Sequence, residues 1–94
     1  MTAYIIARIE VTDPETYATY AQQTVALAEQ FGGEFLVKAG PMVQLEGDGP
    51  ERHVVIRFAD VPSARTFYNS PEYQAILPIA LSASTRDLVI VEGV

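Results

Sequence analysis

Period-two patterning gives two strands of this chain one purely apolar face and one mixed face, and that pairing limits what the chain can become. In residues 3–11, Ala3, Ile5, Ala7, Ile9 and Val11 fall on one side and Tyr4, Ile6, Arg8 and Glu10 on the other. Residues 52–59 repeat the pattern, with Val54, Ile56 and Phe58 set against His53, Val55 and Arg57. Successive side chains on a strand point to opposite faces, so the apolar set calls for helices packed on it. The mixed set is unlike a solvated face, which rarely carries residues such as Ile6 and Val55 at its middle. It is also unlike a core, which does not hold two arginines. It predicts cover by a second subunit with some polar space beneath.

The intervening chain reads as helix, strand, hairpin and helix. Asp13 can cap a helix with Pro14 at its first position, where the missing N–H costs nothing, and Glu15 adds charge suited to the helix start. The spacing of Tyr17, Tyr20, Thr24, Leu27, Ala28 and Phe31 carries a helical stripe through to Phe31. Gly32 and Gly33 end it. Residues 34–39 read as the second strand. Gly40-Pro41 reads as a bend or bulge, after which residues 42–46 resume extended structure. Gly47-Asp48-Gly49-Pro50 is a turn cluster leading into the strand at 52–59. A second helical region opens at Asp60, with Ala64, Phe67 and Tyr68 on one face. It restarts at Ser70-Pro71-Glu72, and Tyr73, Ile76, Leu77 and Ala80 form its stripe. Pro78 is expected to kink or shorten that helix. Residues 86–92 form the last strand. The order β-α-β-β-α-β predicts an α+β, ferredoxin-like fold: a four-stranded antiparallel sheet with helices on one face, in a single domain spanning 1–94.

Size and composition narrow the function classes. A chain of 94 residues buries only about 60–65% of its unfolded surface, which makes oligomerisation a natural source of stability. Net charge is −6, from six Lys and Arg against twelve Asp and Glu. Nucleic acids and anionic membranes are disfavoured partners, because phosphate contacts supply most of such affinity. No stretch is long and apolar enough to span a bilayer, and the N-terminus lacks the pattern of a signal peptide. With no cysteine, thiolate chemistry and disulfides are excluded, and a cytoplasmic location is expected.

The chain resembles the DUF1330 family of small bacterial proteins of unknown function. The resemblance rests on an ordered set covering almost the whole sequence. That set is Val11-Thr12-Asp13-Pro14-Glu15, Tyr17 with Tyr20, Phe31-Gly32-Gly33, Gly40, Leu45-Glu46-Gly47, Phe58, Ala64, Phe67-Tyr68, Ser70-Pro71-Glu72-Tyr73 and Val91-Glu92-Gly93. It implies membership of the dimeric α/β-barrel superfamily, whose ferredoxin-like subunits pair sheet to sheet. Two positions depart from the family pattern. Arg57 stands where an acidic residue commonly precedes the third-strand Phe, and Ala80 stands where an arginine is common. If those two groups pair in relatives, this chain lacks the pair.

The candidate chemistry lies on the mixed face. His53 is the only histidine. With an unperturbed pKa of about 6.5 it is the natural acid–base group, although a lone histidine without an orienting partner reads first as an interface residue. Arg8, Arg57 and Lys38 are expected on the same face. There they could hold a carboxylate or an enolate oxygen, or form salt bridges to Glu10, Glu34, Glu46 or Glu92. Tyr68, Ser70 and Tyr73 flank the helix break and read either as an anion site or as a cap with packed tyrosines. Tyr17 and Tyr20 read as core. The expected pocket is lined by Tyr4, Arg8, His53 and Arg57, with Tyr68 or Tyr73 closing one side. No ligand spacing suggests a metal, no Gly-rich loop suggests a phosphate cofactor, and no cofactor is expected. Ile6, Val55, Leu36 and Leu88 are expected to form an apolar patch that a homodimer covers through the sheet face. Two functional classes are compatible with this pattern. One is a binder or cofactor-independent enzyme acting on a small organic ligand, anionic ones included, in a pocket beside the sheet, as in enzymes that share the expected fold. The other is a non-catalytic dimeric structural or regulatory module.

Overall fold

Three polar caps start the three helices of this chain. The computed structural model describes residues 1–94 as β1 (Ala3–Val11), α1 (Pro14–Gln30), β2 (Glu34–Lys38), β3 (Arg52–Phe58), α2 (Val61–Tyr68), α3 (Pro71–Ala83) and β4 (Ser84–Glu92). The Asp13 carboxylate accepts hydrogen bonds from the Thr16 N–H and from the Thr16 hydroxyl at 2.7 Å. Asp60 accepts from the Ser63 N–H at 2.8 Å, and the Ser70 hydroxyl accepts from the Tyr73 N–H at 3.1 Å. Each cap satisfies a helix-start N–H that the helix itself cannot bond, and each is followed by a proline in the first two helical positions. Pro78 neither breaks nor ends α3, which continues to Ala83. The Ala83 carbonyl then accepts from the N–H groups of Thr12 and Asp13, tying the end of α3 to the entry of α1.

The sheet runs β2-β3-β1-β4, antiparallel throughout, with β1 and β3 central. Registers Ala3↔Phe58, Ile5↔Ile56 and Ala7↔Val54 put the apolar sets of both strands on the helix side, as their parity predicts. Ala3, Ile5, Ala7 and Ile9 are buried there with Ile56 and Phe58. Phe67 bridges sheet and helices: its ring stacks on Phe58 at 5.6 Å and tilts against Tyr73 at 4.9 Å. Gly33 is required by close approach, since a Cβ there would lie 2.9 Å from the Ala28 carbonyl oxygen, from Ile56 and from Phe58.

Three expectations are corrected. Lys38 lies on the helix side, because the β2–β3 register shifts between Phe35 and Val37. Phe35 faces Ile56 and Lys38 faces Val54, and one extra residue in β2 reverses the parity of the positions after it. Leu88 also lies on the helix side, opposite Ala7. Val89 and Val91 take the outer positions and are about half exposed. Residues 42–46 do not resume the strand. The last bond of the ladder is Ala39 N–H to the His53 carbonyl at 2.8 Å. Ala39 then takes φ 57° and Pro41 has no N–H to offer, so the chain leaves the sheet.

Candidate functional site

Helix α1 rests mainly on α3 and, among the strands, comes closest to β2, leaving a gap over the middle of the sheet. The gap is a chamber of about 290 Å³ between sheet and helices, partly open to solvent. Its floor is Ile5, Ala7, Val54 and Ile56, and α1 supplies Ala21 and Val25 from above. Most of the lining is apolar, as small-molecule pockets usually are.

The polar end is built by four residues. Arg86, opposite Ile9 in the β4–β1 ladder, projects to the helix side. One terminal nitrogen donates to the Tyr20 hydroxyl at 3.0 Å and to the Tyr17 hydroxyl at 3.5 Å, and the other donates to the Tyr73 hydroxyl at 2.8 Å. The Tyr20 and Tyr73 oxygens are themselves 2.8 Å apart and share a hydrogen bond. The guanidinium carbon sits 5.0 Å from the centre of the Tyr20 ring. Tyr17 and Tyr20 arrive together because positions three apart share a helix face. Tyr73 is fixed by the Ser70 cap three residues earlier.

Burial pushes the Tyr73 phenol well above the usual tyrosine range, and the neighbouring Tyr20 phenol pushes the same way; Arg86 opposes both without prevailing. Burial likewise raises the Tyr17 phenol. Both are protonated donors at neutral pH rather than bases.

Two more cations reach the chamber. Arg52 lies 5.3 Å from the Tyr17 ring centre, and its Nε is buried without a hydrogen-bond partner. The Lys38 ammonium lies 5.3 Å from the Phe35 ring centre. No Asp or Glu lines the chamber, and the one ion pair of the chain, Arg57 with Glu34, uses none of these cations. Three of the six Lys and Arg in a chain of net charge −6 therefore line an apolar chamber without an ion-pair partner, Arg52 also bordering a surface hollow with Glu10 and Glu51.

The sequence-predicted site divides across the sheet. Tyr4 and Arg57 are cross-strand neighbours, as are Arg8 and His53, so these four residues do gather. They gather on the face away from the helices, where Arg57 pairs with Glu34 and Arg8 stands beside Asp87 of β4. Tyr68 and Tyr73 line the chamber on the other face. A single pocket holding all six is therefore corrected: the sheet separates the two groups, because even-numbered positions of β1 and odd-numbered positions of β3 point outward. Sequence reasoning assigns Tyr17 and Tyr20 to the core and passes over Arg52 and Arg86. The signal available is chemical. Two tyrosines on a buried stripe need partners for their hydroxyls, and an arginine alternating with Leu88 and Ile90 can supply one. No group of three or more metal-ligating side chains converges anywhere in the fold, and no helix is long and apolar enough to cross a membrane.

A family model described as a domain of unknown function, DUF1330, matches residues 2–94. No curated protein matches the chain. Among solved structures, a protein of unknown function from Rhodopseudomonas palustris superposes with a TM-score of 0.83 at 14% identity, over 99% of this chain and 82% of its own. A dimeric ferredoxin-like protein of unknown function from Jannaschia sp. gives 0.70 at 16% identity, over 99% and 100%. SnoaB, a cofactor-independent oxygenase from Streptomyces nogalater, gives 0.69 at 16% identity, over 99% and 93%. At these identities the likeness concerns the fold, which is ferredoxin-like and α+β.

Proposed function

The chain belongs to the DUF1330 family, and from the chamber beneath its helices we propose that it binds a small, largely apolar organic ligand carrying negative charge. The carrying observation is the unneutralised set Lys38, Arg52 and Arg86 around an apolar chamber. Arg52 and Arg86 are half-buried and Lys38 is exposed; cations gathered around one site repel one another, and an anionic ligand relieves that cost. Tyr68 and Tyr73 belong to this site. The chamber volume, about 290 Å³, lies at the small end of ligand pockets. A thermal-shift and calorimetric panel of small carboxylates and phenols tests the reading. Hits are expected, and Ala21→Phe, which puts a ring into the chamber from α1, should abolish them. Arg52→Met should weaken them, because it removes one of the positive charges facing the chamber. A panel without hits, or hits indifferent to Ala21→Phe, defeats the reading.

The outer sheet face supports a second part of the proposal, a homodimer. Leu36, Val37, Val89 and Val91 are each 40–50% exposed there, an apolar area that a lone four-stranded sheet would leave wet. Tyr4, Arg8, His53 and Arg57 share that face and belong to the dimer contact. Solved ferredoxin-like proteins from Jannaschia sp. and Bacteroides fragilis are described as dimeric. Sedimentation at tens of micromolar should give twice the chain mass of 10.3 kDa, and Val89→Asp should halve it. A wild-type monomer at that concentration rules the dimer out.

A further inference from the structure

The four residues at the polar end of the chamber can be counted as donors and acceptors. An arginine donates and never accepts, whereas a phenol has one O–H to give and lone pairs to receive. Arg86 donates to all three phenol oxygens. Between Tyr20 and Tyr73 there is room for one hydrogen. Whichever of the two gives it, the other keeps its own O–H without a use. The Tyr17 O–H is also unused, since Tyr17 takes part only as an acceptor from Arg86. No backbone carbonyl and no carboxylate receives a hydrogen bond from any of the three phenols. Two phenol hydrogens therefore have no acceptor in the protein, and the Arg52 Nε hydrogen on the same chamber has none either.

We infer that the Tyr17–Tyr20–Tyr73–Arg86 cluster receives the oxygen anion of the ligand, a carboxylate or an enolate oxygen, with the apolar body of the ligand lying toward Val25 and Phe35. This rests on the chamber being a ligand site. The inference adds where the charge sits and which chemistry carries it. An acceptor-only group completes the two unused phenols at once. An alcohol or amide brings donors of its own into a cluster already rich in them, and an ammonium adds charge beside Arg86. The phenols suit this task because burial keeps Tyr17 and Tyr73 protonated. They stabilise an oxyanion without competing with it for the proton.

Matched probes test the inference on the wild-type chain. Calorimetry compares 3-phenylpropionate with 3-phenylpropan-1-ol, and octanoate with octan-1-ol, so that each pair differs only at the head group. The carboxylate of each pair should bind at least about tenfold tighter. Tyr17→Phe and Tyr20→Phe, which keep the rings, should each shrink that ratio at least threefold. Equal binding of acid and alcohol overturns the inference and leaves the chamber a ligand site. A carboxylate preference undiminished in both variants also overturns it, because the charge is then read at Arg52 or Lys38. If none of the four compounds binds, the inference and the ligand reading fall together. The wild-type comparison stands even if a variant fails to fold.

Discussion

Replacing Phe58 by alanine should cost about 3–5 kcal/mol of folding stability, the range for a large aromatic removed from a packed core. Phe58 is 1% exposed, and its ring is held on three sides. Phe67 stacks on it at 5.6 Å, Ala3 faces it across the β1–β3 ladder, and Gly33 brings backbone to the ring edge. Gly33 has no side chain and Ala3 only a methyl, so neither can move into the space. The void is therefore expected to persist, which puts the cost toward the upper end of the range. Urea unfolding followed by far-UV circular dichroism measures it. A loss below about 1 kcal/mol would mean that the core closes over the site, against the rigid packing of Phe67 between Phe58 and Tyr73.

The same residues show what is legible in the sequence. β1 and β3 are central strands with one covered face, so their alternation is strict and parity alone orients Ile5, Ile56 and Phe58 correctly. The three caps are local chemistry and read directly from Asp13, Asp60 and Ser70 with their prolines. β2 and β4 are edge strands, where pairing constrains one side only. The bulge after Phe35 leaves no mark in composition, and it moves Lys38 from the expected outer face to the chamber. In β4 both parities carry aliphatics, so only the register with Ala7 and Ile6 decides which faces Leu88 and Val89 take. The candidate site is half legible for the same reason. Tyr68 and Tyr73 sit where the helix break puts them. Arg86 comes from an edge strand whose parity the sequence leaves open, and with it goes the partner that makes Tyr17 and Tyr20 more than core residues.

Alkaline pH should unfold this protein by a route that starts in the chamber. In the unfolded chain a tyrosine releases its proton at about 10. In the folded chain burial holds Tyr73 and Tyr17 above their ordinary value of 10.0. Between the unfolded value and the higher folded ones, the native state binds more protons than the unfolded state, so stability falls as pH rises. The contribution is fully present below about pH 10 and is lost as pH climbs toward the folded values. Tyr73 alone gives a slope of roughly 1.4 kcal/mol per pH unit once its unfolded form is ionised. Tyr17 is raised in the same direction and adds to the loss. The Arg86 guanidinium stays charged throughout, so it does not soften the loss. Urea midpoints from pH 7 to pH 11.5, read together with phenolate absorbance, should be level on this account to about pH 10 and then drop steeply. The buried phenols should ionise in step with unfolding. Tyr73→Phe should flatten the alkaline limb, since it removes the titrating group and keeps the ring, while lowering the neutral plateau by about 1–3 kcal/mol because Arg86 and Tyr20 lose a hydrogen-bond partner. A midpoint level to pH 11.5, or ionisation of Tyr17 and Tyr73 in the native protein near pH 10, would show that the chamber is wet enough to solvate a phenolate.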